Sequence, residues 1–392
     1  MEAALDSGPY SGQALLDAAR SLAPQIATAS DEIERRRHVP PELVAALRGA
    51  GLYRMLVPRS VGGAELTLRE FAEVIEEVAR SDASAAWCMS QNSGICGVSG
   101  YMPPMGMREV FGDRDMIVSW GNGPQTATKL AGGYRISGRW SFSSGIHNAV
   151  WTGAHNAPVV DERGQPLLDA SGNQRKVTMF FPVDDIEIID VWEVSGLRGT
   201  GSDSYTVTDL FVPDHRVALD EPQEPSPLYR FGTTNIFSIG FAAVGLGLAR
   251  GAQQALHDLA TTKSPRGFDG ALAGQQYAQM RLAEAEGTLR STRLFLLEEV
   301  DRVWDNVAAG AEFDLEARID LRLATTYTIQ RCAEVVDNAY QLAGSTAIFN
   351  DKAFERRFRD MHAVTQHIQA RDDHYERVGR YLLGLEPDRG WL

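Results

Sequence analysis

Gly132-Gly133-Tyr134-Arg135-Ile136-Ser137-Gly138-Arg139-Trp140-Ser141-Phe142-Ser143-Ser144-Gly145 is the stretch on which the reading of the chain turns. The glycine pair marks a tight turn, and Tyr134 to Ser137 is short and rich in β-forming residues. Trp140 to Gly145 then crowds aromatic bulk, hydroxyls and backbone amides together, a set that suits a flat ring with a polar edge. Pattern alone also fits an ordinary strand with inward aromatics, and favours it.

Working outward, Met116-Ile117-Val118, Val150-Trp151-Thr152, Val177-Thr178-Met179-Phe180-Phe181, Ile186-Glu187-Ile188 and Tyr205-Thr206-Val207 are further β-rich runs, a spacing that predicts a small barrel or sandwich. Residues 161–176 are polar and read as an exposed excursion, and Pro213, Pro222, Pro225 and Pro227 punctuate the exit. Helical periodicity holds on both sides. Leu15, Leu16, Ala19, Leu22 and Ile26 form one stripe, and Thr67-Leu68-Arg69-Glu70 has the capping-box pattern ahead of Phe71, Val74, Ile75 and Val78. Long helices are expected near 233–262, 271–308 and 314–343, each able to cross a domain at about 1.5 Å per residue. The expected organisation is an N-terminal helical domain over 1–115, a middle β domain over 116–228, and a C-terminal four-helix bundle with an oligomer interface over 229–392.

The chain has 392 residues, 44% hydrophobic, and a formal net charge of −14, a balance that disfavours nucleic acid and anionic membrane as partners. An anionic ligand needs a local basic site. Cys88, Cys96 and Cys332 lack metal-ligand spacing and read as thiols of a reducing compartment. With no leader pattern and no run of about 18 apolar residues, a soluble cytoplasmic protein is expected, without a metal. No glycine-rich dinucleotide fingerprint, Walker sequence or Gly-x-Ser-x-Gly elbow occurs, so reducing equivalents have to come from elsewhere.

Helices, then β, then a helical bundle is an uncommon order, and the chain resembles the acyl-CoA dehydrogenase fold from end to end: α+β, with a middle β-barrel or sandwich. Gly132 to Gly145 is similar to that family's hairpin and flavin-contacting strand. Gly196-Leu197-Arg198-Gly199-Thr200-Gly201-Ser202-Asp203 resembles the segment closing its β domain, and Gly344-Ser345 with Arg356 to Asp360 fits its flavin-edge loop and following Arg-Asp. The resemblance implies flavin contacts at Trp140, Phe142, Ser143, Ser144, Gly344 and Ser345. It also implies that Arg266 reaches the flavin phosphates of a neighbouring subunit, where a guanidinium fork suits phosphate.

Two departures select the branch. The stretch past Asp360, Ala363-Val364-Thr365-Gln366-His367, holds no carboxylate to remove an α-proton, and the dehydrogenase signature opening the middle domain is replaced by Ser119-Trp120-Gly121-Asn122-Gly123-Pro124. Both agree with the reduced-flavin-dependent hydroxylases of two-component systems, which include aromatic and indole hydroxylases and dibenzothiophene monooxygenase. A dehydrogenase acting on an acyl-CoA thioester is the alternative. The resemblance implies FADH2, favoured over FMNH2, supplied by a separate NAD(P)H-dependent flavin reductase. With O2 as co-substrate it forms a flavin hydroperoxide that hydroxylates a small aromatic or indolic molecule, in a homodimer or homotetramer. His367 stands where those relatives carry a histidine, Ser144 is expected to hold the oxygenated flavin, and Asn92 falls where they carry a second histidine. Trp87, Asn92, Trp120 and Phe237 are the expected pocket wall, and His362 and His374 are expected to be solvated helix-end residues.

Overall fold

A computed structural model describes residues 10–350 and 353–392. The first helical group comprises α1 (Gly12–Arg36), α2 (Pro41–Gly49), α3 (Leu68–Ser81), α4 (Ala83–Cys96) and α5 (Pro104–Phe111). The capping box at Thr67 is formed in full, its hydroxyl accepting the Glu70 amide while the Glu70 carboxylate accepts the Thr67 amide. One residue past the end of α3, Asp82 caps α4 by accepting the Ala85 amide at 2.9 Å. Small side chains let α4 be buried on nearly every face, which places it at the centre of the molecule rather than on its rim.

The β region contains β1 (Ala127–Leu130), β2 (Gly133–Trp140), β3 (Trp151–Val160), β4 (Lys176–Pro182), β5 (Glu187–Ile189) and β6 (Ser204–Pro213). They form one curled sheet in the order β4-β3-β1-β2-β6-β5, antiparallel except between β1 and β3. Its concave side carries a core of its own, including Trp140, Tyr205, Phe181 and Val212. Met116-Ile117-Val118 does not extend into a strand. All three side chains are buried in the helical core, and pairing is limited to a bridge from Val118 to Trp151.

The C-terminal helices are α6 (Gly232–Thr262), α7 (Gln276–Ala308), α8 (Leu315–Ala343), α9 (Ala353–Thr365) and α10 (Asp373–Leu382). Helix α6 contains a window apolar enough to cross a membrane, which the apolar-run reading overlooked because glycines and serines interrupt it; 83% of that window is buried inside the protein. It packs against α3 and α4 on one side and α8 on the other, tying the two helical groups into one core.

Helix α9 closes the sheet onto this core. The Asp360 carboxylate accepts the Leu197 amide at 2.6 Å, and Arg359 bonds the Ser195 carbonyl, Glu34 (2.9 Å) and Glu355 (2.6 Å). Gly196 lies so close to the α9 backbone at Arg359 and Asp360 that a Cβ there has no room. The Arg-Asp pair therefore clamps the 195–203 segment, not the Gly344 loop.

Candidate active site

The turn after β2 carries the chemistry-bearing groups because residues 200–203 hold it in place. Ser143 donates its amide to the Asp203 carbonyl (3.0 Å), and Gly145 donates to the Thr200 carbonyl (2.8 Å). Within this frame Trp140 turns inward, 1% exposed, and stacks on Tyr205 at 5.4 Å in the sheet core. Strand alternation demands that placement, so Trp140 is core and not a face open to a ligand. Phe142 takes the open position: it is 63% exposed, sits in the left-handed backbone region at φ 62°, and meets the Trp192 edge at 6.0 Å. An exposed aromatic held in a strained backbone conformation is a feature that a binding surface accounts for better than folding does.

Ser144 is buried, at the head of a line of hydroxyls. Trp87 Nε1 donates to its Oγ at 3.1 Å; Ser144 Oγ meets Ser202 Oγ at 2.8 Å, Ser202 meets Thr200 Oγ1 at 2.7 Å, and Thr200 donates to the Leu197 carbonyl at 2.9 Å. An indole N–H only donates and a carbonyl only accepts, so the ends fix the direction of the whole line. Each hydroxyl proton points toward Leu197. What Ser144 has left is an acceptor lone pair. Ser143, fully buried, shares a 2.9 Å contact with Ser119 Oγ, which also donates to the Ser144 carbonyl at 3.0 Å.

His367 arrives from the other side, just past α9. Its ring meets Phe241 at 4.4 Å and Trp87 at 5.3 Å, edge to face, while Trp87 and Phe241 stack at 4.2 Å. Nδ1 accepts the Gln369 amide at 3.2 Å, which assigns the proton of the neutral ring to Nε2. Burial, aided by the nearby Arg322 guanidinium, lowers its pKa from 6.5 to about 4, so the ring is neutral at physiological pH. His367 thus brings a hydrogen-bond donor into an aromatic enclosure.

The expected wall residues line up with this centre. Phe237 stacks on Phe241 at 5.9 Å and meets Trp120 at 5.8 Å, and Gly94 leaves the space that the Phe237 ring fills. Asn92 is different. Its Nδ2 donates to the Tyr53 carbonyl at 2.7 Å and its Oδ1 accepts the Val118 amide at 2.9 Å. Bonded to backbone at both ends of the amide and 1% exposed, Asn92 serves as a structural tie that holds the approach to Ser119. A second group forms at the end of α8, where Gly344 adopts φ 52° and Lys263 bonds the Ala343 carbonyl and Thr346 Oγ1 (3.0 Å). That contact draws the 263–268 segment, with Arg266 exposed, to the loop holding Gly344 and Ser345. His374, expected in solvent, is 1% exposed, and His362 pairs with Asp337 at 2.8 Å.

Reading the sequence missed Phe241, Ser119, Ser202, Thr200 and His155, which stacks on Trp120 at 4.2 Å. Ser119, Thr200 and Ser202 lie inside stretches already singled out. Phe241 looks like any apolar residue of a long helix, and the sole hint at His155 is a polar His-Asn pair interrupting an apolar strand.

The residues present fit an isoalloxazine ring: an open aromatic face at Phe142, an acceptor at Ser144, a donor at His367, and aromatic side chains that keep water out. Residues 11–102 match the model of the acyl-CoA dehydrogenase N-terminal domain, and 239–372 that of the C-terminal domain. The chain is 32% identical to the indole-3-acetate monooxygenase of Pseudomonas putida, over 99% of this chain and 97% of the relative. It is 29% identical to the flavin-dependent monooxygenase, oxygenase subunit HsaA, of Rhodococcus jostii, over 88% and 92%. XiaF from Streptomyces sp., solved in complex with FADH2 and glycerol, superposes with a TM-score of 0.88 over 96% of each chain at 22% identity, a likeness of fold. These relatives do not favour the acyl-CoA dehydrogenase alternative. The chain belongs to the flavin-dependent monooxygenases built on the acyl-CoA dehydrogenase fold, as an oxygenase component.

Proposed function

We propose that the protein is a cytoplasmic oxygenase component that receives FADH2 from a separate NAD(P)H-dependent flavin reductase and hydroxylates a planar aromatic molecule of the indolic class. The observation that carries this is the enclosure of Ser144 and His367 by Trp87, Phe241, Phe237 and Trp120. Reduced flavin, when bound, supplies the two electrons with which O2 is split, one oxygen atom entering the substrate and the other leaving as water. The chain's own residues do the rest. Phe142 offers the ring a face. Ser144, held as an acceptor, suits a ligand N–H, and reduced flavin carries more ring N–H groups than oxidised flavin. His367 Nε2–H orients a polar atom of substrate or cofactor without exchanging its proton at neutral pH, and the aromatic shell excludes water. Arg266 and the Gly344-Ser345 loop would serve the phosphate end, Arg266 across a subunit contact of a homodimer or homotetramer.

The test combines the purified protein with a flavin reductase, NADH, FAD or FMN, isotopically labelled O2, and a panel of phenols, indoles and polycyclic aromatics. One labelled oxygen in a hydroxylated indole, with FAD preferred, is expected. Release of hydrogen peroxide alone with every ring, together with bleaching of bound flavin by an acyl-CoA, would overturn the reading.

A further inference from the structure

The pairing of β3 with β4 skips between Ala154 and Ala157, so His155 and Asn156 both face Thr178. The insertion is a β-bulge, with Asn156 in the left-handed region at φ 53°. Thr178 Oγ1 serves both residues, at 3.0 Å to His155 Nδ1 and 3.3 Å to the Asn156 amide, and Asn156 Nδ2 donates to His155 Nε2 at 2.9 Å. Both imidazole nitrogens are therefore engaged, with Nδ1 as the donor, and the ring is neutral: burial lowers its pKa to about 4. Held this way, the imidazole lies nearly parallel to the Trp120 indole, 4.2 Å away with 16° between planes.

A plain apolar strand residue would fill this space without a bulge or a left-handed Asn tied to the imidazole. Bulges re-aim side chains, and what this one aims at is Trp120. Trp120 is also bordered by Phe180, with ring centroids 6.5 Å apart, and by Phe237, through which it reaches the centre. Phe237 is 5.8 Å from its ring, and the adjacent Ser119 hydroxyl bonds the Ser143-Ser144 turn.

We infer that His155 is a positioning residue that fixes the plane of Trp120 as the wall against which a planar substrate ring stacks, and that this wall makes the enzyme favour fused bicyclic rings over single rings. The inference rests on the aromatic-hydroxylase reading above. Stacking attraction grows with overlap, so a wall of fixed tilt favours the larger flat ring, whereas a freely tilting indole accepts either.

The experiment compares His155→Ala, His155→Phe and Asn156→Gly with the unaltered protein, using indole-3-acetate and 4-hydroxyphenylacetate as probes, reductase-coupled turnover, and tryptophan-fluorescence titration of each probe without flavin. In His155→Ala the KM and the dissociation constant for the indole should rise about threefold to tenfold, with little change for the phenol and little change in kcat. His155→Phe, which restores an aromatic partner, should recover the preference. Asn156→Gly relieves the left-handed strain and removes the Nε2 partner, so it folds whether or not the alanine variant does, and should weaken the preference. Equal discrimination between the two rings in all three variants, with the unaltered protein active, overturns this inference alone. An unaltered protein that hydroxylates no ring and binds neither probe overturns it together with the reading beneath it.

Discussion

His367 shows what a single residue's surroundings add to its identity. An imidazole past the Arg-Asp pair invites the role of general base, yet Nδ1 is occupied by the Gln369 amide and burial holds the pKa at about 4. A ring so reluctant to take a proton is a poor base near pH 7 and a good fixed donor. Loss of one such donor from a dry site typically costs about 10²–10³ in rate. We therefore expect His367→Ala to keep its flavin affinity and lose hydroxylation on that scale, and His367→Asn, which keeps an N–H, to recover part of it. Turnover should not fall through pH 6.5 on this residue's account, since it gains its proton only near pH 4. An acid limb centred at 6.5 that vanishes in His367→Ala would return the residue to the role of base. Ser144 teaches the same lesson: its place in the chain suggests a hydroxyl of either polarity, and only the line from Trp87 to Leu197 makes it an acceptor.

At the scale of elements, α9 is the piece whose purpose the sequence left misassigned. Its Arg-Asp pair was expected beside the Gly344 loop and instead secures residues 195–203, the segment that in turn carries Thr200 and Ser202 behind Ser144. Asp360 is buried at 3% exposure, and removing it strands the Leu197 amide, at a cost of about 1–3 kcal/mol. Asp360→Ala should lower stability to urea by that amount and weaken flavin binding as the hydroxyl line loosens. Unchanged stability would show that the clamp is redundant with Arg359. The long helices, the capping box and the strand–turn at Gly132 were legible because periodicity and turn chemistry are local signals. Trp140 and Phe142 were not separable, because which of two nearby aromatics faces the core depends on strand register and on the left-handed turn at Phe142. Asn92 failed as a catalytic residue for a similar reason: a buried amide is claimed by whatever backbone passes it, and sequence does not show which.

Taken whole, the molecule buries imidazoles in their neutral form, and that sets how its stability responds to acid. His155, His367 and His374 are each held near pKa 4 by burial, below the ordinary 6.5. Unfolding frees them to take up protons between pH 6.5 and 4, so their contribution is present above 6.5 and lost as pH falls through that window. Asp360 works the other way. Burial raises its pKa to about 7, so it favours the folded state at low pH and loses that contribution as pH rises from 3.8 toward 7. These three imidazoles each weaken the folded state at pH 5 relative to pH 7, and Asp360 offsets part of that loss. His374 isolates the effect. It is 1% exposed, donates from Nε2 to the Ile368 carbonyl at 2.8 Å, and presents Nδ1 to Arg377 at 3.3 Å, so a second ring proton would point at a guanidinium. Its own share of the loss at pH 5 is about 2 kcal/mol. Urea unfolding at the two pH values should show the unaltered protein losing more stability than His374→Gln by roughly that amount. Comparing the two proteins cancels the contribution of the net charge of −14, which both carry at neutral pH. Parallel losses in both would mean that His374 gains its proton without disturbing Arg377, and that acid lability resides in the histidines around the active site.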